Sequence, residues 1–479
     1  MQNHGAGVFR ELQAISLVLV TLAAAAMLAF LGSVLAQPAA VDIANRLELF
    51  VDQHRIETMR GVRLQLHPPR RAEVVLRFDK PWEGRHSAYV TVLKDGDRYR
   101  MYYRGWPAID GPDQVCYAES LDGIHWVKPD LGLVKWQGSK RNNILWNGIG
   151  RHNFTPFVDA RPGVPPSERY KAVGRGLNPR NRLWGFVSAD GIHWRTVGDE
   201  PVITDGKFDS QNLAFWDRNR NKYVAYFRTS HRGVRAIARA ESDDFRHWSP
   251  TTPIELGDTP PEHFYTNATL PYFRAPHYYF AFPKRFNPQR KRLDWHHKTG
   301  ISEAVVLSSR DGLHFDRTFM QTLIRPGRDE RNWGDRSSMP AWGLHQTASD
   351  EMSLYYSQHY GFDTAHMRRG VFRLDGIASA HAGHEGGELV TKPLLFEGRR
   401  LILNYATSAS GSVRVEVQEI NGKPIPGFAL ADAPELYGDA IAEPYTWTSG
   451  ADVDSLAGKP VRLRFVLKDT DLYSYRFGD

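Results

Sequence analysis

The sequence predicts an all-β fold: a five-bladed β-propeller closed by its own N-terminal strand and followed by a C-terminal β-sandwich. The first observation behind this is a repeat. Ser120-Leu121-Asp122-Gly123-Ile124-His125-Trp126 recurs as Ser188-Ala189-Asp190-Gly191-Ile192-His193-Trp194, with looser copies at 242–248 and 309–315. Its aspartates, Asp122, Asp190, Asp244 and Asp311, stand 68, 54 and 67 residues apart, the spacing of successive propeller blades. Asp-Gly supplies a positive-φ hairpin corner, and the aromatic residue after it wedges between sheets. The second observation is composition: 13 Trp, 20 Tyr and 24 Phe suit aromatic strands and the stacking of sugar rings. Third, the repeat stops after about Gly383. Segments such as Ser412-Val413-Arg414-Val415-Glu416-Val417 and Val461-Arg462-Leu463-Arg464-Phe465-Val466 then alternate with a two-residue period, as strands of a separate sandwich do.

From the N-terminus, residues 1–36 read as a signal peptide or a membrane anchor. Arg10 precedes an apolar stretch, 15–36, whose end Val34-Leu35-Ala36 fits cleavage before Gln37. Its length also fits an uncleaved anchor. Either way the remainder is expected to be secreted or periplasmic. Residues 37–382 are the propeller and 383–479 the sandwich. Blade one opens at His86, blade two at His152, blade three at Asp209, blade four at Tyr265 and blade five at Ser337, and the seven-letter repeat is the hairpin between third and fourth strands. Blade five has only Arg373-Leu374-Asp375-Gly376 in its place. Residues 74–87 repeat the approach to the inner strands, so the N-terminal strand is expected to complete blade five and remove the open edges.

The net charge is +7, from 61 basic and 54 acidic residues. No Lys/Arg run or reader motif accompanies it, which argues against nucleic acid as a partner. A plain basic surface is one reading and attraction to an acidic polymer the other. The lone Cys116 rules out an intramolecular disulfide and a cysteine zinc site, and reads as a buried apolar residue. His296 and His297 lie in the charged loop 290–298 and read as exposed, so no metal site is expected. The sequons at Asn153 and Asn267 fall on inner strands, where a glycan has no room. The oligomeric state is left open.

Inner strands all start on one face of a propeller, and second strands return to it, so polar residues at both ends converge on an axial pocket. The starts hold Glu83, Arg85, His86, His152, Asn153, Asp209, Gln211 and Asn212, then Glu262, His263, Asn267, Trp333, Asp335 and Arg336. The return ends hold Arg104, Arg175, Arg228, Lys284, Arg285 and His359. Glycosidic hydrolysis needs one protonated carboxyl and one ionised. Glu262, beside His263, is read as the acid, Asp209 or Asp335 as the ionised partner, and Glu83 as a substrate-binding or pKa-setting carboxylate; the other side chains are read as substrate contacts. The arginine rim suits an anionic substrate group. Trp82, Tyr89, Tyr265, Trp333 and Trp342 are placed to stack sugars or wedge between blades. Asp122, Asp190, Asp244 and Asp311 are turn residues on the opposite face, Asp159 and Asp217 hold first hairpins, and Asp52 is either a pocket group or a turn cap. Two other functions fit the same pattern: a non-catalytic carbohydrate-binding propeller, and a phosphorylase whose Arg and His ring holds phosphate.

With these residues the chain resembles the five-bladed propeller glycoside hydrolases of the family 32 and family 43 type over roughly residues 45–479. It is similar also to exported bacterial proteins carrying a family 32-like domain. The resemblance implies a glycosidase with a carbohydrate substrate, and puts Glu83, Asp209, Glu262 and Asp335 at the catalytic positions by their place in the blade. It implies no cofactor, a structural calcium in the channel, as in some members, being left open. The chain departs from family 32 in lacking Trp-Met-Asn-Asp-Pro-Asn-Gly, where it has Pro81-Trp82-Glu83-Gly84-Arg85-His86. It also has no Arg-Asp-Pro triplet, with Phe157-Val158-Asp159-Ala160-Arg161 only a partial echo. These departures argue against fructan or sucrose as substrate. Sialidase hairpins place an extra residue between Asp and Gly, which are adjacent here.

Overall fold

A computed structural model describes residues 40–108, 111–176, 182–294 and 299–479. The segment read as a signal peptide or anchor, and the pair His296 and His297, lie outside the described residues. Among those described, the structure is all β apart from single 3-10 turns, and no helix is long and apolar enough to cross a membrane.

The chain lays down antiparallel four-stranded sheets in order. Unit A comprises Ala88–Asp95, Arg98–Gly105, Gln114–Ser120 and Ile144–Trp146; unit B comprises His152–Val158, Tyr170–Gly176, Arg182–Ser188 and Arg195–Thr196. Unit C follows with Leu213–Asp217, Lys222–His231, Val234–Ser242 and Thr252–Pro253, and unit D with Leu270–Tyr272, Ala275–Ala281, Leu307–Ser309 and Phe315–Asp316. Unit E contains Pro340–Gln346, Glu351–Gln358 and His366–Arg373. Its fourth strand is Arg70–Arg77, which comes from the N-terminal side and pairs antiparallel with His366–Arg373. Units E and A meet at one parallel bridge, Trp342 to Thr91.

The seven-letter repeat is a self-capped turn. Ser120 Oγ accepts from the Gly123 amide at 2.9 Å, and Asp122 Oδ1 accepts from the amides of Ile124 and His125 at 2.8 Å. The His125 ring bonds the other carboxylate oxygen, and the Trp126 indole donates to Gly123 O. Gly123 has φ 75°, the left-handed region that favours glycine. Each turn also ties two units together. Tyr355 of unit E donates to Gly123 O, Tyr102 of unit A to Gly191 O, and Tyr226 of unit C to Gly312 O. A second set of ties uses the first hairpins: Asp159 accepts from Tyr223 at 2.6 Å and Asp217 from Tyr279 at 2.5 Å. All these aspartates are therefore spent on turns and packing.

The C-terminal sheet is built on two long strands, Arg400–Gln418 and Arg462–Gly478, paired with each other with a register break between Thr407 and Ser412. Leu401, Leu403, Val413, Val415, Trp447, Phe465 and their neighbours form its apolar cluster. This sheet reaches back beyond 383. Ile56–Arg60 pairs with Gly387–Thr391, Val62–Leu66 with Ala378–Ala382, and Glu48–Leu49 with Arg462–Gly478. Asp52 belongs to this N-terminal segment. It is gripped by Arg310 Nε and Nη2 at 3.1 and 3.2 Å, beside the unit D turn, so it locks the sheet to unit D. Cys116 is fully buried.

Candidate functional site

The first strands of units A, B, D and E begin with an unusual backbone. Tyr89, Asn153, Ala268 and Ser338 have φ of 53°, 58°, 42° and 57°, and each stands at or just before the first strand of its unit. Register shifts accompany them at Ala88/Thr91 and His152/Thr155. Non-glycine residues held at positive φ cost about 1–3 kcal/mol each and gather where a fold re-aims side chains. Arg336 and His359 share the feature, at 64° and 56°.

Beside these strand starts lies a cavity of about 710 Å³ lined by Asp209, Arg228, Arg235, Tyr265, Phe286, Pro288, Thr299, Asp335 and Arg336. Its volume is that of a site for a small ligand. Asp209 is the accessible acid, its side chain 46% exposed. It accepts from Arg175 Nη1 at 3.1 Å and faces His152 Nε2 at 3.5 Å. The other nitrogen of the same ring bonds Asp113, which is buried and also holds Arg151. A carboxylate–imidazole–carboxylate line thus runs from the interior to the cavity. The His152 contact, with the charges of Arg175 and Arg228, holds the Asp209 carboxyl well below the usual carboxylate range against the opposing effect of burial.

Asp335 sits deeper. Burial pushes its carboxyl up, but Lys284 Nζ at 2.6 Å and Arg336 Nε at 3.6 Å outweigh this and hold it low. Ser302 Oγ donates to the same oxygen as Lys284, at 3.2 Å. Lys284 has no exposed side-chain surface. Tyr265 lines the same cavity, with four cations around its ring: Lys284 at 4.1 Å, Arg228 at 4.9 Å, Arg235 at 5.6 Å and Arg336 at 5.7 Å from the centroid.

The structure thus brings Asp209, Asp335, Arg228 and Arg336 into one cavity, with His152 and Arg175 behind Asp209 and His263 accepting from the Arg235 amide. It places the other predicted residues elsewhere. Glu262 lines a separate cavity of about 530 Å³ between the Val234–Ser242 strand and the segment 252–264. One of its oxygens takes Arg285 at 2.7 Å and the other takes Arg317, so neither is left for a leaving group. Glu83 is fully buried, bonded by Tyr103 Oη at 2.5 Å, Lys128 Nζ at 2.7 Å and the Lys80 amide at 2.9 Å. Arg104 is sandwiched between the Tyr89 and Trp106 rings, 4.5 Å from each centroid, and donates to Asn153 and to His86 O. Asn153, Gln211, Asn212 and Asn267 spend their amides on backbone carbonyls of Ser210, Val90, Phe208 and Tyr226. Both sequon asparagines are 1% exposed, as their place in the sequence predicts. His86 packs on the Trp106 and Tyr360 rings, His359 bonds Asp329, Trp333 donates to Gly327 O, and Arg85 is exposed.

Two residues escaped the sequence reading. Asp113 lies in the loop before Gln114–Ser120, off the strand-start pattern. Arg235 opens a third strand, which that pattern does not sample. Among the described residues no cluster of three His, Cys, Asp or Glu side chains is arranged to hold a metal ion.

No family model matches the chain. An uncharacterized protein of Mycobacterium tuberculosis strain H37Rv is 30% identical over 155 residues, 31% of this chain and 44% of that protein. Its counterpart in strain CDC 1551 gives the same figures, so the chain spans less than half the length of these relatives. Among solved structures, a glycoside hydrolase is similar over 64% of this chain and 92% of its own, with TM-score 0.46 and 12% identity. An N-acetylgalactosamine deacetylase from F. plautii, in complex with blood group B trisaccharide, covers 66% and 97%, with TM-score 0.43 and 14% identity. A structure from the GH130 family of mannoside phosphorylases, containing glycoside hydrolases that target beta-1,2 mannosidic linkages in Candida mannan, covers 67% and 95%, with TM-score 0.38 and 14% identity.

Proposed function

We propose that this chain is a carbohydrate-active enzyme that cleaves a glycosidic bond in a poly- or oligosaccharide bearing an acidic group. In this reading units A to E are the five blades of a propeller, the cavity at their strand starts is the active site, and the C-terminal sheet is a β-sandwich. The apolar stretch 15–36 supports export. One observation carries the reading: Asp209 and Asp335 share a cavity with Arg228 and Arg235, neither of which, among the described residues, is paired with a carboxylate. Unpaired guanidinium groups beside an open cavity suit a carboxylate, sulfate or phosphate on the substrate. Asp209, ionised and accessible, takes a proton from the attacking water as that water reaches the anomeric carbon. Asp335, tied to Lys284, balances the cations and fixes their positions.

The same two arginines also suit inorganic phosphate as the attacking group, which would make the reaction a phosphorolysis. The test is release of reducing ends from a panel of neutral and acidic glycans, with and without phosphate, by wild type and Asp209→Asn. Turnover of acidic glycans without phosphate, reduced at least ~100-fold in the variant, is the expected result. Turnover only with phosphate makes the enzyme a phosphorylase. Glycan binding without turnover in either protein refutes the enzymatic reading and leaves a binding module.

A further inference from the structure

Both acids of the cavity are held in their ionised form by their cationic neighbours, and Glu262 is clamped elsewhere. The leaving oxygen still needs a proton, so the donor must be another group that faces the same space. Of the described side chains lining the cavity, the arginines do not release protons near neutral pH and Phe286 and Pro288 carry none to give. The Thr299 hydroxyl is far too weak an acid. Tyr265 remains. Its phenol oxygen accepts from Arg336 Nη2 at 3.4 Å, and among the described residues its O–H donates to nothing. The proton is therefore free to point into the cavity that Asp209 also faces.

Resting on the glycosidic reading above, we infer that Tyr265 is the general acid of this site. As water adds to the anomeric carbon and gives a proton to Asp209, the C–O bond breaks, its electron pair stays on the leaving oxygen, and the Tyr265 phenol proton passes to that oxygen. The phenolate formed is surrounded by Lys284, Arg228, Arg235 and Arg336, the four cations already placed around the ring. Asp209 then loses its proton to solvent and Tyr265 regains one, so no further reagent is consumed. The charge environment supports the role. Burial raises the phenol's affinity for its proton and Asp209 adds to this, but Arg336, Lys284 and Arg228 outweigh both and bring it below its ordinary value. Tyr89, buried nearby and facing Arg336, Tyr265, Arg104 and Asp209, is pushed the opposite way by burial.

The experiment has two arms. In the first, Tyr265→Phe is compared with wild type on aryl uronides with good leaving groups, such as dinitrophenolate, and on alkyl uronides with poor ones. Tyr265→Phe is expected to lose roughly 100-fold or more in kcat/KM on the alkyl substrates and under about 10-fold on the dinitrophenyl ones. Asp209→Asn loses equally on both. A Tyr265→Phe loss that does not depend on the leaving group overturns the acid role while leaving the site assignment in place. A wild-type protein that cleaves neither series, and releases no reducing ends from the acidic glycan panel with or without phosphate, overturns the glycosidic reading and the acid role with it. The second arm needs no substrate. Ultraviolet titration of tyrosinate is expected to show one phenol ionising below the ordinary tyrosine range in wild type and not in Tyr265→Phe. An unchanged curve in the variant refutes the inference directly.

Discussion

Arg310→Gln removes the guanidinium shared by Glu48 and Asp52 at the seam between unit D and the C-terminal sheet. Besides its two bonds to Asp52, Arg310 reaches Glu48 Oε2 with Nη1 at 3.3 Å and Tyr278 Oη with Nη2 at 2.8 Å. The Glu48 side chain is 1% exposed. Burial alone would raise its carboxyl, but His277, Arg310 and Arg55 outweigh this and carry it from its ordinary 4.5 to about 2. A depression of that size corresponds to about 3 kcal/mol of folding free energy. Because the folded value is the lower one, this contribution is fully present above the unfolded value of 4.5 and is lost as the pH falls towards about 2. Taking away Arg310 leaves two buried carboxylates, of which Glu48 keeps Arg55 at 3.1 Å and His277 at 3.3 Å, and breaking such a buried pair costs about 3–5 kcal/mol. Urea unfolding followed by tryptophan fluorescence measures it. The variant's midpoint should fall clearly at neutral pH, and its gap to wild type should narrow near pH ~3, where wild type is losing the share of the Glu48 contribution that Arg310 supplies and the variant lacks. A gap below about 0.5 kcal/mol at neutral pH, or one that stays constant with pH, refutes the reasoning.

Asp113→Asn loosens the His152 ring that holds Asp209. The acid-side fall of kcat/KM should move to higher pH with KM little changed, whereas a purely structural role would lower stability and leave that limb in place. Lys284→Met strands Asp335 in the interior and should destabilise the fold by about 3 kcal/mol or more; adding Asp335→Asn to it should recover part of the loss in thermal unfolding. Gly191→Ala places a Cβ 2.7 Å from Tyr102 Oη at a φ of +77° and should cost about 2 kcal/mol through strain and the lost tie between units. Gly96→Ala, at +62° with nothing within 4 Å, should cost only about 1 kcal/mol. Equal melting temperatures for the two glycine variants would remove the role given to the turn.

Much of the architecture was legible because its signals are local. Two-residue alternation sets strands, Ser-x-Asp-Gly builds a turn from its own side chains, and the Arg70–Arg77 strand carries the same approach pattern as the inner strands. The candidate site was legible in part. The strand-start pattern led to Asp209, Asp335, Arg228 and Arg336, which do share a cavity. It led equally to Glu83 and Glu262, and these went into the core and into a second cavity. Position along a strand does not say where a side chain points once bulges and positive-φ residues turn the backbone at that point. Asp113 and Arg235 had no pattern to announce them, since one lies in a loop and the other on a strand that was not sampled.

Short-range turn chemistry and periodicity carry the all-β class, the order in which sheets are laid down, and the structural use of the repeat's own aspartates. Which acids meet, which cations stay unpaired and which phenol is surrounded by them emerge when the sheets pack together. Those are contacts between residues far apart in the chain, and they depend on burial and side-chain direction that no local pattern encodes.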